Sequence, residues 1–539
     1  MKYRKLLVLF SLFATNLVDQ PAPEVTIEQG TLSGKISNDG TFFEYLGIPY
    51  ATSDRSTRFQ APGPPPAWKG IYKAVDEMYG CPQKLFFGVT GSENCLVANI
   101  YIPVKAEKPL PVMVYIHGGA FIFGSGGKVL FAPEFLVRKD IILVTFNYRL
   151  GILGFLCLGI KEAPGNTGLK DQVAALRWIK KNIAAFGGDP ENITVFGESA
   201  GAVSTTLLTI SNVTNGLFNR VIIQSGSATS SWSINREPVK AASLLANALG
   251  YETEDPHELY KIFSELEYPE LITLKGNKIL GKFFDTKLLH LPCVEKNIEG
   301  VEAVIDDLPY NMMGKYTKNV SIIVGTNSKE GLFLTAVDTN ETLQEMNRTY
   351  VFASDLGFSS EEDAEAASAK LRQFYFGNND ITTNNLITVA DFYTQAYFEM
   401  PTIFECELFV KRSKAPVYNY YFNYSGDRNF LKKRTGYTDI GGACHADDLF
   451  YLFDSRILIF PINKRDGDMI ETMTTLWTNF AKYGDPTPKD SSISVKWLPS
   501  TSDKINFLYI DEELKMGPMP NPEAYKLWKY LYQHRKTTL

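Results

Sequence analysis

Several chemistries are removed by what the chain lacks. None of its six cysteines forms a Cys-x-x-Cys pair, so neither a zinc ribbon nor a dithiol redox motif is present. No basic stripe interrupts a net charge of −6, and nucleic acid finds no electrostatic footprint. There is no internal repeat and no low-complexity segment, which removes solenoids and disordered tails. Beyond the N-terminus no apolar run is long enough to span a bilayer. Histidine is scarce: His117, His257, His290, His445 and His534 are all there is for proton transfer near neutral pH.

What is present begins with Met1-Lys2-Tyr3-Arg4-Lys5 and an apolar run from Leu6 to about Val18. Cations ahead of a short apolar stretch read as a secretory signal over residues 1–18, cleaved between Ala14 and Asp19; a membrane anchor or a first core element is the competing reading. Residues 19–539 then form a single domain, since no Gly/Ser-rich linker divides them. The C-terminal Lys536-Thr537-Thr538-Leu539 is neither a retention tetrapeptide nor a lipid-anchor tail, so the expected location is extracellular. Glycosylation sequons occur at Asn192, Asn212, Asn319, Asn340, Asn347 and Asn423, with Asn340 and Asn347 in the most polar setting. Cys81 and Cys95 flank a short loop with a glycine-containing turn at Gly88–Gly91, where a bridge would contribute about 3 kcal/mol. Cys157 and Cys406 lie in apolar surroundings and read as buried thiols.

The apolar pattern sets the fold class. Short runs from Val25 to Ala51 predict a small antiparallel N-terminal sheet. Continuous apolar strands follow at 99–102, 112–116, 141–146, 193–196, 221–224, 321–324 and 417–422. Between several of them lie helical patterns, such as Leu169 to Ala185 with Val173, Leu176, Trp178 and Ile183 on one face. Strands buried on both faces, alternating with helices, define an α/β chain with a mostly parallel central sheet. Helical stretches at about 237–316 and 360–412 are expected to cap it.

The chemistry centres on Gly197-Glu198-Ser199-Ala200-Gly201, between the apolar run Ile193–Phe196 and the helix-forming Ala202–Leu208. A serine on so sharp a strand-to-helix turn is held in strained backbone with Oγ lifted above the sheet, and the glycines leave room for the close approach of neighbouring chain. Serine needs a base. His445, in the flexible stretch Gly441-Gly442-Ala443-Cys444 and anchored by Ala446–Phe450, suits a proton shuttle. His290 reads as packing, while His257 and His534 sit in polar segments. An acid to orient the imidazole is expected between Ser199 and His445. Glu330 follows a strand and can reach the sheet edge; Asp306 and Asp307 have no strand to position them. His117-Gly118-Gly119-Ala120-Phe121 follows another strand, and its small residues let backbone N–H groups point at a ligand; the N–H of Ala200 is a further donor.

Together with Ser92–Leu96, Asn147–Gly151, Gln224–Ser227 and Gly442–Asp448, these motifs resemble the type-B carboxylesterases of the cholinesterase-like α/β-hydrolase family, insect carboxylesterases above all, over nearly the whole mature chain. The resemblance implies the α/β-hydrolase fold, a triad of Ser199, Glu330 and His445, and an oxyanion hole from Gly119, Ala120 and Ala200. It also implies a Cys81–Cys95 disulfide and structural ion pairs Arg58–Glu93 and Arg149–Asp171. Two positions depart from the family pattern. Ala120 replaces a third glycine, and Asn94 replaces an acid before the second cysteine.

The reaction implied is ester hydrolysis through an acyl-enzyme, with no metal and no organic cofactor. Within the disulfide loop stand Phe86 and Phe87 but no tryptophan, so no cation–π platform for choline is expected. Hormone-specific juvenile hormone esterases usually carry Gln before the serine, where this chain has Glu198. The expected partner is therefore a small, largely uncharged ester: an odorant or pheromone, xenobiotic or dietary one. Trp232 is placed either in the acyl pocket or in the core. The rivals are a juvenile hormone esterase, a lipase or amidase, and a non-catalytic adhesion protein of the same fold. The sequence sets no oligomeric state.

Overall fold

Each central strand carries apolar side chains on both faces, and this places one sheet through the middle of the chain. The computed structural model describes residues 21–77, 80–105, 109–274, 289–316, 318–351, 358–460 and 462–534. The expected signal segment, 1–18, lies outside them. The strands are β1 (Pro21–Ile27), β2 (Gly30–Ile36), β3 (Phe42–Pro49), β4 (Ile71–Lys73), β5 (Gln83–Leu85), β6 (Gly88–Thr90), β7 (Val97–Pro103) and β8 (Leu110–Ile116). They continue as β9 (Ile142–Phe146), β10 (Gly188–Glu198), β11 (Arg220–Gln224), β12 (Ser321–Asn327), β13 (Val417–Phe422), β14 (Phe507–Ile510) and β15 (Lys515–Gly517).

The order across the sheet is β1-β2-β3-β7-β9-β8-β10-β11-β12-β13-β14-β15, with β4 beside β2. From β9 to β14 every pairing is parallel; β1, β2, β3, β7 and β15 close the edges in antiparallel fashion, and β4 lies parallel to β2. This is the α/β-hydrolase architecture, a mostly parallel sheet with helices on both faces. Alternate residues feed two cores. Val112, Val114, Val195, Ile223 and Val324 join the layer under the Thr167–Asn182, Ala200–Ile210 and Met400–Arg412 helices. Tyr115, Phe196, Ile222 and Ile323 face Met473, Leu476, Trp477 and Phe480 of the Lys464–Tyr483 helix. The helices Pro238–Asn247, Pro256–Glu265 and Tyr268–Thr273 pack as a satellite cluster with Ile152, Leu153 and Phe59, a core of their own that contains no residue of the central strands.

Two expectations need correction. The turn of the disulfide loop is not Gly88–Gly91: β5 and β6 pair as a hairpin whose tip is Phe86-Phe87, both fully exposed. Cys157 is not a thiol; it bonds Cys293, while Cys406 and Cys444 are free and buried. Its partner lies 136 residues away, beyond the reach of any local pattern. The Cys81–Cys95 bond is present. Arg149 donates to Asp171 from Nε (2.8 Å) and Nη2 (2.6 Å) in full burial, and Arg58 Nη2 donates to Glu93 at 2.9 Å.

Replacing Cys157 and Cys293 together by alanine is expected to lower stability by about 2–5 kcal/mol, because the long loop they close gains freedom in the unfolded chain. Thermal denaturation of the double variant beside the parent checks it, and an unchanged midpoint contradicts it.

Candidate active site

β10 ends at Glu198, and the Ala200–Ile210 helix starts two residues later. Ser199 between them has φ 59° and ψ −124°, a backbone region that non-glycine residues rarely occupy. Two backbone bonds hold it there: Ser199 N–H donates to the Gln224 carbonyl (2.9 Å), and its own carbonyl accepts from Val203 N–H (3.0 Å). The flanking glycines are sterically required. A Cβ on Gly197 would fall 2.5 Å from the Gly201 carbonyl, and one on Gly201 would fall 2.0 Å from the Ile116 oxygen.

His445 is brought from 246 residues away, and its Nε2 stands 2.8 Å from Ser199 Oγ. Its Nδ1 stands 2.7 Å from Glu330 Oε2, an arrangement that fixes the proton on Nδ1. Glu330 is fully buried; its other oxygen accepts the Asn327 N–H at the end of β12 (2.7 Å). The loops that carry the two residues are pinned to each other. Lys329 N–H donates to the Ala443 carbonyl (2.8 Å), Ala443 N–H to Ser328 Oγ (3.1 Å), and Asn327 Nδ2 to the Cys444 carbonyl (2.7 Å). Asp307 is not at this site: it accepts from Leu308 N–H and Asn311 Nδ2 at the start of the Pro309–Tyr316 helix. His257 is exposed on a helix elsewhere, and His534 is exposed at the C-cap of the last helix.

The loop after β8 closes the other side. A Cβ on Gly118 would fall 2.7 Å from the Glu198 carbonyl oxygen, so glycine is what lets this backbone approach the serine turn. Gly119, Ala120 and Phe121 follow with φ of 112°, 52° and 63°, a turn fastened by Ile122 and Phe123 N–H groups on the Gly119 carbonyl. Ala200 N–H is the first amide of its helix and has no intrahelical acceptor.

Four neighbours were not legible as site residues. Phe333 stacks on the His445 ring at 4.8 Å, and Phe398 packs on it at 4.7 Å. Phe398 sits in a π-helical turn, Gln395–Glu399, which no periodicity announces. Trp232 is buried one ring further out, 5.7 Å from Phe398, and donates from Nε1 to the Tyr397 carbonyl (2.9 Å). The other two neighbours are acids. Glu198 Oε1 lies 3.2 Å from His445 Nε2, and buried Asp448 accepts from Gln224 Nε2 (2.8 Å) and Asn327 Nδ2 (3.2 Å). Both acids stood inside motifs quoted from the sequence, where adjacency gave no sign of which way they point.

This burial sets the electrostatics. Burial raises the Glu198 carboxyl to about 8, against the pull of His445. Burial also works against the His445 imidazolium, but Glu198 and Glu330 outweigh it and raise its pKa to about 9. A buried hydroxyl, imidazole and carboxylate in series can pass a proton from oxygen to nitrogen and stabilise the charge that forms.

A model of the carboxylesterase family matches residues 21–528. The chain belongs to that family and is a carboxylic-ester hydrolase. It is 34% identical over 488 residues to juvenile hormone esterase of Heliothis virescens, covering 86% of this chain and 85% of that protein. It is 33% identical to bile salt-activated lipase of Mus musculus, covering 90% and 82%, and 31% identical to esterase FE4 of Myzus persicae, covering 88% and 86%. Among solved structures, the juvenile hormone esterase from Manduca sexta with OTFP covalently attached superposes with a TM-score of 0.84 at 29% identity, covering 95% of this chain and 99% of that one.

Because a neutral imidazole is needed to accept a proton, the rate should rise with pH through a midpoint above the usual histidine value near 6.5. Glu198→Gln removes the leading cause of the upward shift, so its midpoint should fall below the parent's. Parallel pH profiles of kcat/KM check this; coincident midpoints contradict it.

Proposed function

We propose that this chain is a secreted serine esterase that acts through an acyl-enzyme, with residues 1–18 as its export signal and 19–539 as one catalytic unit. Ser199 Oγ attacks the ester carbonyl while its proton passes to His445 Nε2. Glu330 accepts the Nδ1–H bond throughout and stabilises the imidazolium. The tetrahedral oxyanion takes hydrogen bonds from the N–H groups of Gly119, Ala120 and Ala200. Collapse breaks the bond to the alcohol oxygen, which leaves with the proton from His445. Water, deprotonated by the same imidazole, then releases the acid and restores Ser199. The observation that carries this reading is the unbroken relay of 2.8 and 2.7 Å from Ser199 to Glu330.

The substrate class follows from the walls. Phe333 and Phe398 flank His445, with Trp232 backing the acyl side through Phe398, and such surroundings favour small, largely uncharged esters. Phe86 and Phe87 point to solvent, so the hairpin offers no aromatic platform for a cation. A second reading, hydrolysis of a juvenile hormone ester, is favoured by the likeness to the enzymes of Heliothis virescens and Manduca sexta. Secretion accords with two disulfides, which persist in oxidising compartments. Among the described residues no helix is long and apolar enough to cross a membrane. For glycosylation, Asn340 is exposed at a helix start, whereas the Asn347 amide is engaged by Arg372 and Ile381.

Ser199→Ala is expected to lower hydrolysis of a short-chain aryl acetate by about 10⁴-fold or more. Equal rates from parent and variant overturn the mechanism. A panel that varies acyl and alcohol length separately, with a juvenile hormone ester included, separates the two substrate readings.

A further inference from the structure

The disulfide hairpin and the loop after β8 are joined by one side chain. Gln83, buried at the base of β5, accepts the Gly124 N–H on Oε1 at 2.8 Å and donates from Nε2 to the Gly124 carbonyl at 2.9 Å. The same Nε2 donates to the Cys81 carbonyl at 3.0 Å, so the amide is itself tied to the bridge. One glutamine thus holds both polar groups of one peptide residue.

Gly124 in turn lies on His117. Its φ is 118°, and a Cβ there would fall 2.4 Å from His117 Nδ1 and 2.6 Å from the Gly118 oxygen. His117 Nδ1 is 2.9 Å from that same oxygen, and because a carbonyl can only accept, Nδ1 carries the proton. Burial pulls the His117 pKa down to about 4, so the ring holds this single proton at neutral pH. The ring stacks on Tyr148 at 4.4 Å, and Tyr148 OH donates to the His117 carbonyl at 2.9 Å. In a trans peptide the C=O and N–H of one unit point in opposite directions. Holding the Gly118 carbonyl on His117 therefore aims the Gly119 N–H the other way.

We propose that Gln83 is a positioning residue for the reaction: by clamping Gly124 against His117 it keeps the Gly118–Gly119 peptide from turning over, and so couples the Cys81–Cys95 hairpin to the oxyanion donors. This rests on the reading of Gly119 as such a donor. The brace touches no substrate. It bears on transition-state stabilisation and leaves ground-state binding alone.

The test is Gln83→Met, which keeps the length of the side chain and removes all three bonds. With a short-chain aryl acetate, kcat should fall about 10- to 100-fold with KM within about twofold, and affinity for an alkyl boronic acid should fall by a similar factor. Replacing Cys81 and Cys95 by serine should lower kcat in the parent and add little in the Gln83→Met background. A kcat unchanged in Gln83→Met, or a loss confined to KM, overturns the proposal. If Gln83→Met does not fold, the double-serine variant decides: unchanged kcat overturns the coupling, and a kcat loss at constant KM supports it. Labelling by a fluorophosphonate keeps the two levels apart, because a parent enzyme that fails to label at Ser199 sinks the esterase reading itself.

Discussion

The bond between His445 Nδ1 and Glu330, 2.7 Å long and shielded from water, is the constraint around which the rest of the molecule is arranged. The two residues stand 115 positions apart, and the serine they serve lies further still from the imidazole, so no local segment can build the relay. The parallel sheet does it. β10 and β12 deliver Ser199 and Glu330 at the same edge, the C-terminal ends of their strands, where α/β sheets place their ligands. The loop carrying His445 is then stitched to the Glu330 loop by backbone and side-chain bonds, which removes the freedom an irregular segment would otherwise keep. Strain at Ser199, worth about 1–3 kcal/mol, persists because glycines at 197, 201 and 118 admit backbone where any side chain would collide.

Such a site concentrates acid where water is excluded. Glu198, Glu330 and Asp448 are all buried within one small region beside His445. Asp448 is compensated by the amides of Gln224 and Asn327, and Glu330 by the Asn327 N–H and the imidazole. Glu198 Oε1 has no hydrogen-bond partner among the described residues and lies 3.2 Å from the imidazole, and burial drives its carboxyl toward the neutral form. The carboxylate of Glu330 and, when ionised, that of Glu198 make the histidine more basic than an isolated one, so its imidazolium persists to higher pH.

The central strands were legible because burial on both faces leaves continuous apolar runs, and each observed strand from β8 to β13 overlaps an expected one. Their ends were not. β10 extends back to Gly188 through polar residues that no hydrophobic run marks. Ser199, His445 and Glu330 were each expected from local context, strand–turn–helix for the first and loops beside apolar segments for the others, and the structure brings all three together. Phe333, Phe398 and the Glu198 contact were hidden, since they depend on how distant segments pack. The π-helical turn that presents Phe398 departs from the helical period by one residue, which is enough to defeat a pattern reading. Cys157 shows the same limit: an apolar neighbourhood is consistent with a thiol and with a bridge, and only the fold brings Cys293 alongside.

Ser199 Oγ must be the atom that bonds to the acyl group if the relay is catalytic. An acid-quenched reaction with an aryl ester, followed by intact-mass analysis and peptide mapping, reads this directly. The prediction is a burst approaching one alcohol per chain, with the acyl mass on the peptide that contains Ser199. Turnover with no adduct, or an adduct on another residue, would contradict it.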